Sequence, residues 1–370
     1  MTTITVSGIR TICSNPDSLF RYFGWPSVTR LPDGGLAMVA SGFRLGHICP
    51  FGKGIICYSR DEGESWTLPA VLFDTPLDDR DCGIAELGGG KVLVTSFNNS
   101  VQAQRNWNGR PGDPRSPALR ALSESYLAAV EEAGGAEEKY LGSTCRLSRD
   151  GGVTFGPVFR VPVSSPHGPC AAKDGSVLYV GRYHSSDDSH EPGRATIACY
   201  RLSSENPEEE APEKLGSVPV ISPDLLMCEP HAIELPDGRL LVHIRVQGTH
   251  EGRSFFTVYQ SESADGGHSF SAPVPLLPEQ GGSPPHLLLH SSGILISSYG
   301  HRQPPYGVRV MLSRDLGRTW ETGLPLYGDG RSADLGYPCT VELRDHSLLT
   351  VYYENLGRES VIRAIHWKLG

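Results

Sequence analysis

One octapeptide pattern, Ser-x-Asp-x-Gly-x-Ser/Thr-aromatic, occurs four times in this chain and constrains the fold more than any other feature. The copies are Ser59–Trp66 (SRDEGESW), Ser148–Phe155 (SRDGGVTF), Ser263–Phe270 (SADGGHSF) and Ser313–Trp320 (SRDLGRTW). A short motif returning at long intervals marks a modular array. Its chemistry suits a hairpin turn: Asp bonds to nearby backbone N–H groups, Gly supplies a positive φ, and the aromatic residue anchors the loop on its own sheet. Exposed aspartates in such a turn build scaffold rather than catalyse.

Between the octapeptides runs a longer unit, in which a short apolar segment leads to an Asp-Gly-type turn and a second apolar segment. Its clearest copies begin at Trp25 (WPSVTRLPDG), Glu229 (EPHAIELPDG) and Tyr337 (YPCTVELRDH), with identical Pro-to-Asp spacing; weaker copies begin near Asp81, Pro166 and Ser283. Each reads as strand, hairpin, strand, with the octapeptide marking a later hairpin of the same unit. Successive starts lie 56, 85, 63, 54 and 54 residues apart, room for four strands each. The expectation is an all-β chain, one six-bladed β-propeller domain spanning 1–370, whose closure leaves only short, protected edges. The N-terminal run Thr3–Ile12 is expected to complete the last blade, because Val361–Leu369 ends the chain one strand short. The longest interval holds a helical insertion in the second blade, at 102–140. There Ser116-Pro117 suits an N-cap and first helical residue, Leu119, Leu122, Tyr126 and Val130 share a face, and Gly134-Gly135 stops the helix. The insertion is either a rim helix or a lid.

Composition narrows the function. A formal net charge of −9 argues against nucleic acid as a partner, so any anion site must be a local patch of arginine. No apolar run approaches membrane-spanning length, and the N-terminus MTTITVSGIR lacks the basic and apolar regions of a signal peptide; a cytoplasmic location is expected. The nine cysteines form no Cys-x-x-Cys pair, and several sit in apolar strand-like runs. Reduced, buried thiols are expected, with no disulfide framework, zinc site or cofactor. His167, His184, Asp187, Asp188 and His190 form a polar cluster whose spacing matches no established ligand pattern and reads as a solvated loop. The oligomeric state is left open.

In a propeller the first strand of each blade lines the central channel, so the starting residues converge. They are Trp25, Asp81, Pro166, Ser283 and, carrying the chemistry, Glu229 and Tyr337. Arg182 and Arg245 lie eight residues past the Asp of their turns, and Arg44 and Arg302 eleven past their own. Four arginines in register either line one funnel, where paired N–H donors match a carboxylate, or pair with the excess acid on the surface; the register favours the funnel. His231 and His286 also sit at equivalent positions and are expected to face away from the channel or to bond locally.

These residues resemble the sialidase (neuraminidase) superfamily along nearly the whole chain. The octapeptides look like its Asp boxes. Cys228-Glu229-Pro230 through Ile244-Arg245 resembles the motif that carries a catalytic Glu and an arginine of a carboxylate-binding triad. Gly336-Tyr337-Pro338 through Tyr353-Glu354 resembles the closing motif, with a Tyr nucleophile and a later supporting Glu. The resemblance implies an exo-acting glycoside hydrolase that removes a terminal acidic sugar, sialic acid above all, from a glycan. In it Glu229 is base to Tyr337, Arg245 holds the substrate carboxylate, Arg302 or Arg309 is a second clamp, and Glu354 orients a neighbouring arginine. Two positions depart from the pattern. Gly24 stands where the first triad arginine is expected, leaving Arg21 or Arg44 to replace it. The first-blade loop carries His47 in place of an acid/base Asp, with Asp81 the other candidate. The alternatives are a uronate-polysaccharide hydrolase or lyase using His47, and a non-catalytic glycan-binding propeller.

Overall fold

Runs rich in Val, Ile, Leu and Tyr, each closed by a Gly-containing turn, favour strands joined by hairpins. The computed structural model, which describes residues 3–108, 110, 115–183 and 197–370, follows that pattern throughout. The strands are β1 (Ile4–Cys13), β2 (Tyr22–Arg30), β3 (Leu36–Arg44), β4 (Lys53–Ser59), β5 (Ala70–Phe73), β6 (Arg80–Glu86) and β7 (Val92–Phe97). Three helices follow, α1 (Val101–Trp107), α2 (Pro117–Ala133) and α3 (Ala136–Tyr140), before β8 (Ser143–Ser148) and β9 (Phe159–Val161). Next come β10 (Val163–Ser164), β11 (Cys170–Ala171), β12 (Val177–Tyr183), β13 (Ile197–Leu202) and β14 (Glu213–Ser217). The chain continues with β15 (Leu225–Glu234), β16 (Leu240–His250), β17 (Arg253–Ser263), β18 (Val274–Pro275), β19 (Pro285–Leu289), β20 (Leu295–His301), β21 (Gly307–Ser313) and β22 (Glu321–Tyr327). It closes with β23 (Leu335–Glu342), β24 (Leu348–Asn355) and β25 (Ser360–Leu369).

The architecture is an all-β propeller with few helices. Three sheets are four-stranded antiparallel units in chain order, β6–β9, β15–β18 and β19–β22. A five-stranded sheet runs β10-β12-β13-β14 with β11 added to β12, because its innermost strand is broken around Pro166–Gly168. The expected six separate blades therefore take a different form, since the described residues give five sheets. The first and last repeats, β2–β5 and β23–β25 with β1, are fused into one eight-stranded sheet by a single parallel pair, Tyr22 with Ser360. β1 pairs antiparallel with β25 from Ile4–Leu369 to Cys13–Ile362, so the N-terminal run does complete the last repeat. The inner strands close a ring, β2 against β6, β6 against β11, β11 against β15, β15 against β19, β19 against β23 and β23 back against β2. Apolar faces of successive units pack between the sheets, for example Val39 and Ile56 with Ile84 and Val94, and Ile296 and Val310 with Tyr352 and Trp367.

Each octapeptide starts on the last residue of a third strand, at Ser59, Ser148, Ser263 and Ser313. In every copy the serine hydroxyl bonds the Asp carboxylate at 2.7–2.9 Å and receives the Gly N–H at 2.8–2.9 Å. Register places these turns far from the chemistry. Ser263 pairs with Leu240, whereas Arg245, a candidate site residue, pairs with Cys228 toward the other end of the same sheet.

The helices form between β7 and β8. Ser116 caps α2 by accepting the Leu119 N–H at 3.3 Å. The buried face is Ser123, Leu127 and Val130; Leu122, expected there, is 43% exposed. The helix is rotated because Tyr126 donates to the Pro76 carbonyl (3.3 Å) and packs on the Phe51 ring (4.7 Å), while Leu127 and Val130 meet Leu77 and Val101. The insertion thus sits on loops of the first and second repeats. All nine cysteines are free and buried. No described helix is long and apolar enough to cross a membrane.

Candidate functional site

Four of the six starting residues share an unusual backbone. Trp25 (φ 55°), Asp81 (51°), Glu229 (48°) and Tyr337 (51°) all lie in the left-handed region, which non-glycine residues rarely adopt. At each one the pairing slips, between Gly24 and Ser27, Arg80 and Gly83, Cys228 and His231, and Gly336 and Cys339. Such a bulge bends the strand and re-aims a side chain, and the conformation costs roughly 1–3 kcal/mol per residue. Pro26, Pro230 and Pro338 follow three of the four and disfavour the ordinary helical geometry in the residue before them. The same strain repeated on four inner strands turns four side chains toward one end of the channel.

There Tyr337 donates its hydroxyl hydrogen to Glu229 Oε1 at 2.7 Å, and Arg245 Nη1 contacts both partners, Glu229 Oε2 at 2.6 Å and Tyr337 Oη at 3.2 Å. Arg245 also holds Gln247 through Nε at 2.9 Å. Burial opposes ionisation of Glu229, but the Arg245 charge and the Tyr337 hydroxyl outweigh it and hold the carboxyl below its usual range. Burial and the Glu229 charge push the Tyr337 phenol well above its ordinary value against the pull of Arg245 and Arg302. The resting pair is therefore carboxylate and neutral phenol. Arg302 stacks 5.6 Å from the Tyr337 ring centroid and 5.3 Å from Phe256, and Arg245 lies 4.7 Å from the same Phe256. Two arginines thus bracket one aromatic ring beside the nucleophile candidate. Arg302 is steadied by the Leu335 carbonyl (2.9 Å) and Tyr353 Oη (3.4 Å).

On the other side of Glu229 opens a cavity of about 240 Å³ lined by Asp81, Phe97, Arg182, Cys228, Glu229 and Gln247 among others. Asp81 is buried, and its Oδ1 has no hydrogen-bond partner among the described residues. Desolvation, seconded by the Glu229 charge and opposed by Arg80, raises its pKa to about 6. Arg182 lines this cavity and stands apart from the Arg245–Arg302 pair.

His47 faces a different space. Its Nδ1 lies 3.3 Å from Tyr22 Oη and 3.8 Å from Asp334, its ring meets the edge of Trp25 at 4.8 Å, and it makes no hydrogen bond to Glu229 or Tyr337. Although its side chain is about half exposed, the protein packed around the ring and the Arg80 and Arg44 charges lower its pKa despite Asp334.

Four other expected residues do not reach a ligand here. Arg44 is completely buried in an ion pair with Asp78 (2.6 Å), with further bonds to the carbonyls of Gly46, His47 and Asp79. Trp25 is also fully buried, a floor under His47 and under the guanidinium of Arg80, which lies 4.5 Å from its ring. Glu354 points away because successive strand residues face opposite sides. It accepts from Tyr327 (3.2 Å) and Arg363 (2.8 Å), while its neighbour Tyr353 faces the site. Arg309 sits on the third strand of its unit opposite Tyr299, away from Tyr337.

Arg80, Gln247, Asp334 and Tyr353 were not anticipated. Arg80 directly precedes a starting residue, and a bulge turns both residues inward, which was the available signal. Asp334, beside β23, accepts from Tyr22 (3.0 Å), Tyr353 (2.8 Å) and Asn355 (2.8 Å); no repeat marks it.

Deeper in the channel His167, His231 and His286 meet, against the expectation that the last two face away or bond locally. The ring centroids are 4.3 Å apart for His231–His286, 5.1 Å for His167–His286 and 5.8 Å for His167–His231. The Leu287 N–H donates to His231 Nδ1 (2.9 Å) and the Thr340 N–H to His286 Nδ1 (3.3 Å), which leaves the proton of each ring on Nε2. Ser27 donates to the Pro166 carbonyl, so its oxygen accepts from His167 Nδ1 at 3.0 Å. With two Nε2 atoms protonated, the trio lacks the free lone pairs of a metal site. His184, His190, Asp187 and Asp188 lie outside the described residues. No group of three or more metal-ligating side chains occurs among the described residues.

No family model and no curated protein matches the chain. Solved structures do resemble it. A Dyadobacter fermentans protein of unknown function aligns over 99% of both chains with 20% identity and a TM-score of 0.74. An α-L-arabinanase of Penicillium chrysogenum aligns over 99% of this chain and 98% of its own, with 16% identity and a TM-score of 0.64. A sialidase of Streptococcus pneumoniae aligns over 98% of this chain and 70% of its own, with 15% identity and a TM-score of 0.64. At these identities the likeness shows the fold, a propeller of the kind used by glycoside hydrolases.

Proposed function

We propose that the chain is an exo-acting glycoside hydrolase that removes a terminal acidic sugar, with sialic acid as the sugar. The observation that carries this reading is the Tyr337 hydroxyl bonded to Glu229 at 2.7 Å with Arg245 touching both. A carboxylate beside the anomeric carbon repels a carboxylate nucleophile, whereas a neutral phenol deprotonated as it attacks avoids that repulsion. In the first step Tyr337 Oη bonds to the anomeric carbon, its proton passes to Glu229, and the glycosidic C–O bond breaks. Asp81, part-protonated near neutral pH and lining the same cavity as Glu229, gives its proton to the leaving oxygen. Water then cleaves the tyrosyl–sugar bond with Asp81 as base, and Tyr337 recovers its proton.

The substrate carboxylate is held by Arg302, which uses two of its five N–H donors on Leu335 and Tyr353, and by the remaining N–H of Arg245. No third clamp extends from Gly24, where a Cβ would already meet Tyr22 at 3.4 Å and Tyr353 at 3.7 Å. Arg80 supplies the third positive charge in that quarter, and its interaction with Tyr337 is favourable once the phenol ionises.

A fluorogenic sialoside tests the reading. The parent should turn it over, and Tyr337→Phe and Glu229→Gln should each lower kcat/KM by about a thousandfold or more. Turnover of an uncharged arabinofuranoside with none of the sialoside would overturn the acidic-sugar assignment, and binding without turnover of any glycoside would overturn the hydrolase.

A further inference from the structure

Beyond Trp25, His47 and Tyr353 lies a second cleft, of about 310 Å³, which the mechanism above does not use. Three arginines from separate parts of the chain line it: Arg21 just before β2, Arg358 between β24 and β25, and Arg115 just before α2. Its two carboxylates are already committed. Asp334 accepts from Tyr22, Tyr353 and Asn355, and Glu359 accepts from Ser14 Oγ at 2.7 Å and Asn15 N at 3.3 Å. The Arg21 guanidinium has no hydrogen bond or ion pair among the described residues. The carboxylate nearest Arg358 is Asp17, 3.9 Å away and 97% exposed, a contact of little worth in water. The guanidinium groups of Arg21 and Arg358, without a close carboxylate beside a concave surface of an acidic protein, form a local anion site. His47, whose side chain is 49% exposed, is the shared wall between this cleft and the residues around Trp25.

We propose that the cleft is a subsite for a second acidic sugar, the residue next to the terminal one, with its anion held by Arg21 and Arg358. This rests on the acidic-sugar reading of the Tyr337 site. The cleft adjoins the Tyr337 site through His47 and Trp25, whose rings lie 4.8 Å apart, with Trp25 in turn 6.3 Å from the Tyr337 ring, and a volume of about 310 Å³ suits a single sugar ring with its carboxylate. The helical insertion then has a use as well, since Arg115 and Leu119 at the start of α2 form one side of the cleft.

Calorimetric binding to the full chain carrying Tyr337→Phe, which prevents turnover, tests the subsite. The probes are free N-acetylneuraminic acid and its α2,8-linked dimer, at low and at physiological salt. The dimer should bind about tenfold or more tightly than the monosaccharide, with the gain shrinking as salt rises. Adding Arg21→Gln and Arg358→Gln together should erase that gain and leave monosaccharide affinity unchanged. Each single change is measured too, so that a folding defect in the double variant leaves the question answerable. A dimer no tighter than the monosaccharide, or a gain that survives both changes, overturns the subsite alone. Failure of both probes to bind contradicts the acidic-sugar reading itself, and the subsite falls with it.

Discussion

At the scale of single residues, Asp81 and Glu229 show how environment separates two carboxylates that line one cavity. Arg245 and Tyr337 hold Glu229 ionised, while burial and Glu229's own charge bring Asp81 to about 6. A base must be ionised and an acid protonated, so kcat/KM should be lost at low pH as Glu229 gains a proton and should fall again above about pH 6 as Asp81 loses its own. Asp81→Asn should remove the alkaline limb and slow substrates with poor leaving groups most; an unchanged pH profile would exclude Asp81 as the acid. Arg44 is scaffold, whereas Arg302 is a clamp in the proposed mechanism. Arg44→Met removes the closer ion-pair partner of fully buried Asp78, leaving it Arg80 at 3.8 Å and the Cys49 N–H at 3.3 Å, and should lower stability by about 3 kcal/mol in denaturant titrations. Arg302→Met should leave stability nearly intact and raise KM. That Glu229, Tyr337 and Arg245 meet was legible in the sequence because they recur in register with the repeat. Arg44 recurs in register too, yet register fixes only a place along a strand, and burial beside Asp78 decided its role. Arg80 and Asp334 escaped notice because neither falls on a repeating position, and only the bulge and the loop before β23 bring them inward.

At the scale of elements, the left-handed bulges on β2, β6, β15 and β23 do what a regular strand cannot, turning one side chain per strand toward the end of the channel. Their starting residues were readable from the repeat, but the strain was not, because a positive φ at Trp, Asp, Glu or Tyr leaves no compositional mark. The histidine trio is the converse case. Its members lie at or just past the starts of three units, yet that they pack together rather than point outward depends on backbone N–H groups reaching His231 and His286 from neighbouring strands. Burial depresses the pKa of all three, that of His231 to about 3. A histidine with a depressed folded-state pKa is neutral in the native chain and charges on unfolding. Its stabilising effect is therefore complete above the ordinary value of about 6.5 and is lost as pH falls below it. Each such histidine contributes up to about 1.4 kcal/mol per pH unit in that window. Denaturant midpoints should drop steeply from pH 6 to pH 4, and a His231→Gln chain should show a shallower fall. Equal slopes would place the acid sensitivity elsewhere.

At the scale of the whole molecule, closure matters most, because the site is assembled from inner strands more than a hundred residues apart. Tyr337 and Glu229 are separated by 108 positions and meet only because the ring closes. The last repeat is completed by β1, which covers the edge of β25 along its length. Deleting residues 3–13 should expose that edge, promote association through it and lower the melting temperature by more than about 5 °C; an unchanged melting curve would show that the ring closes without β1. The array and its closure were legible from the octapeptides and the longer unit. The fusion of the first and last repeats was not, since one parallel pair between Tyr22 and Ser360 has no sequence signature. The central claim, that Tyr337 is the nucleophile toward an acidic sugar, is tested most directly by trapping. The chain is incubated with a fluorinated sialoside that forms a slow-hydrolysing glycosyl-enzyme, and the labelled peptide is located by mass spectrometry. The account predicts one added sugar on Tyr337 and none in Tyr337→Phe. A label on Glu229 or Asp81, or sialoside turnover that persists in Tyr337→Phe, would contradict it.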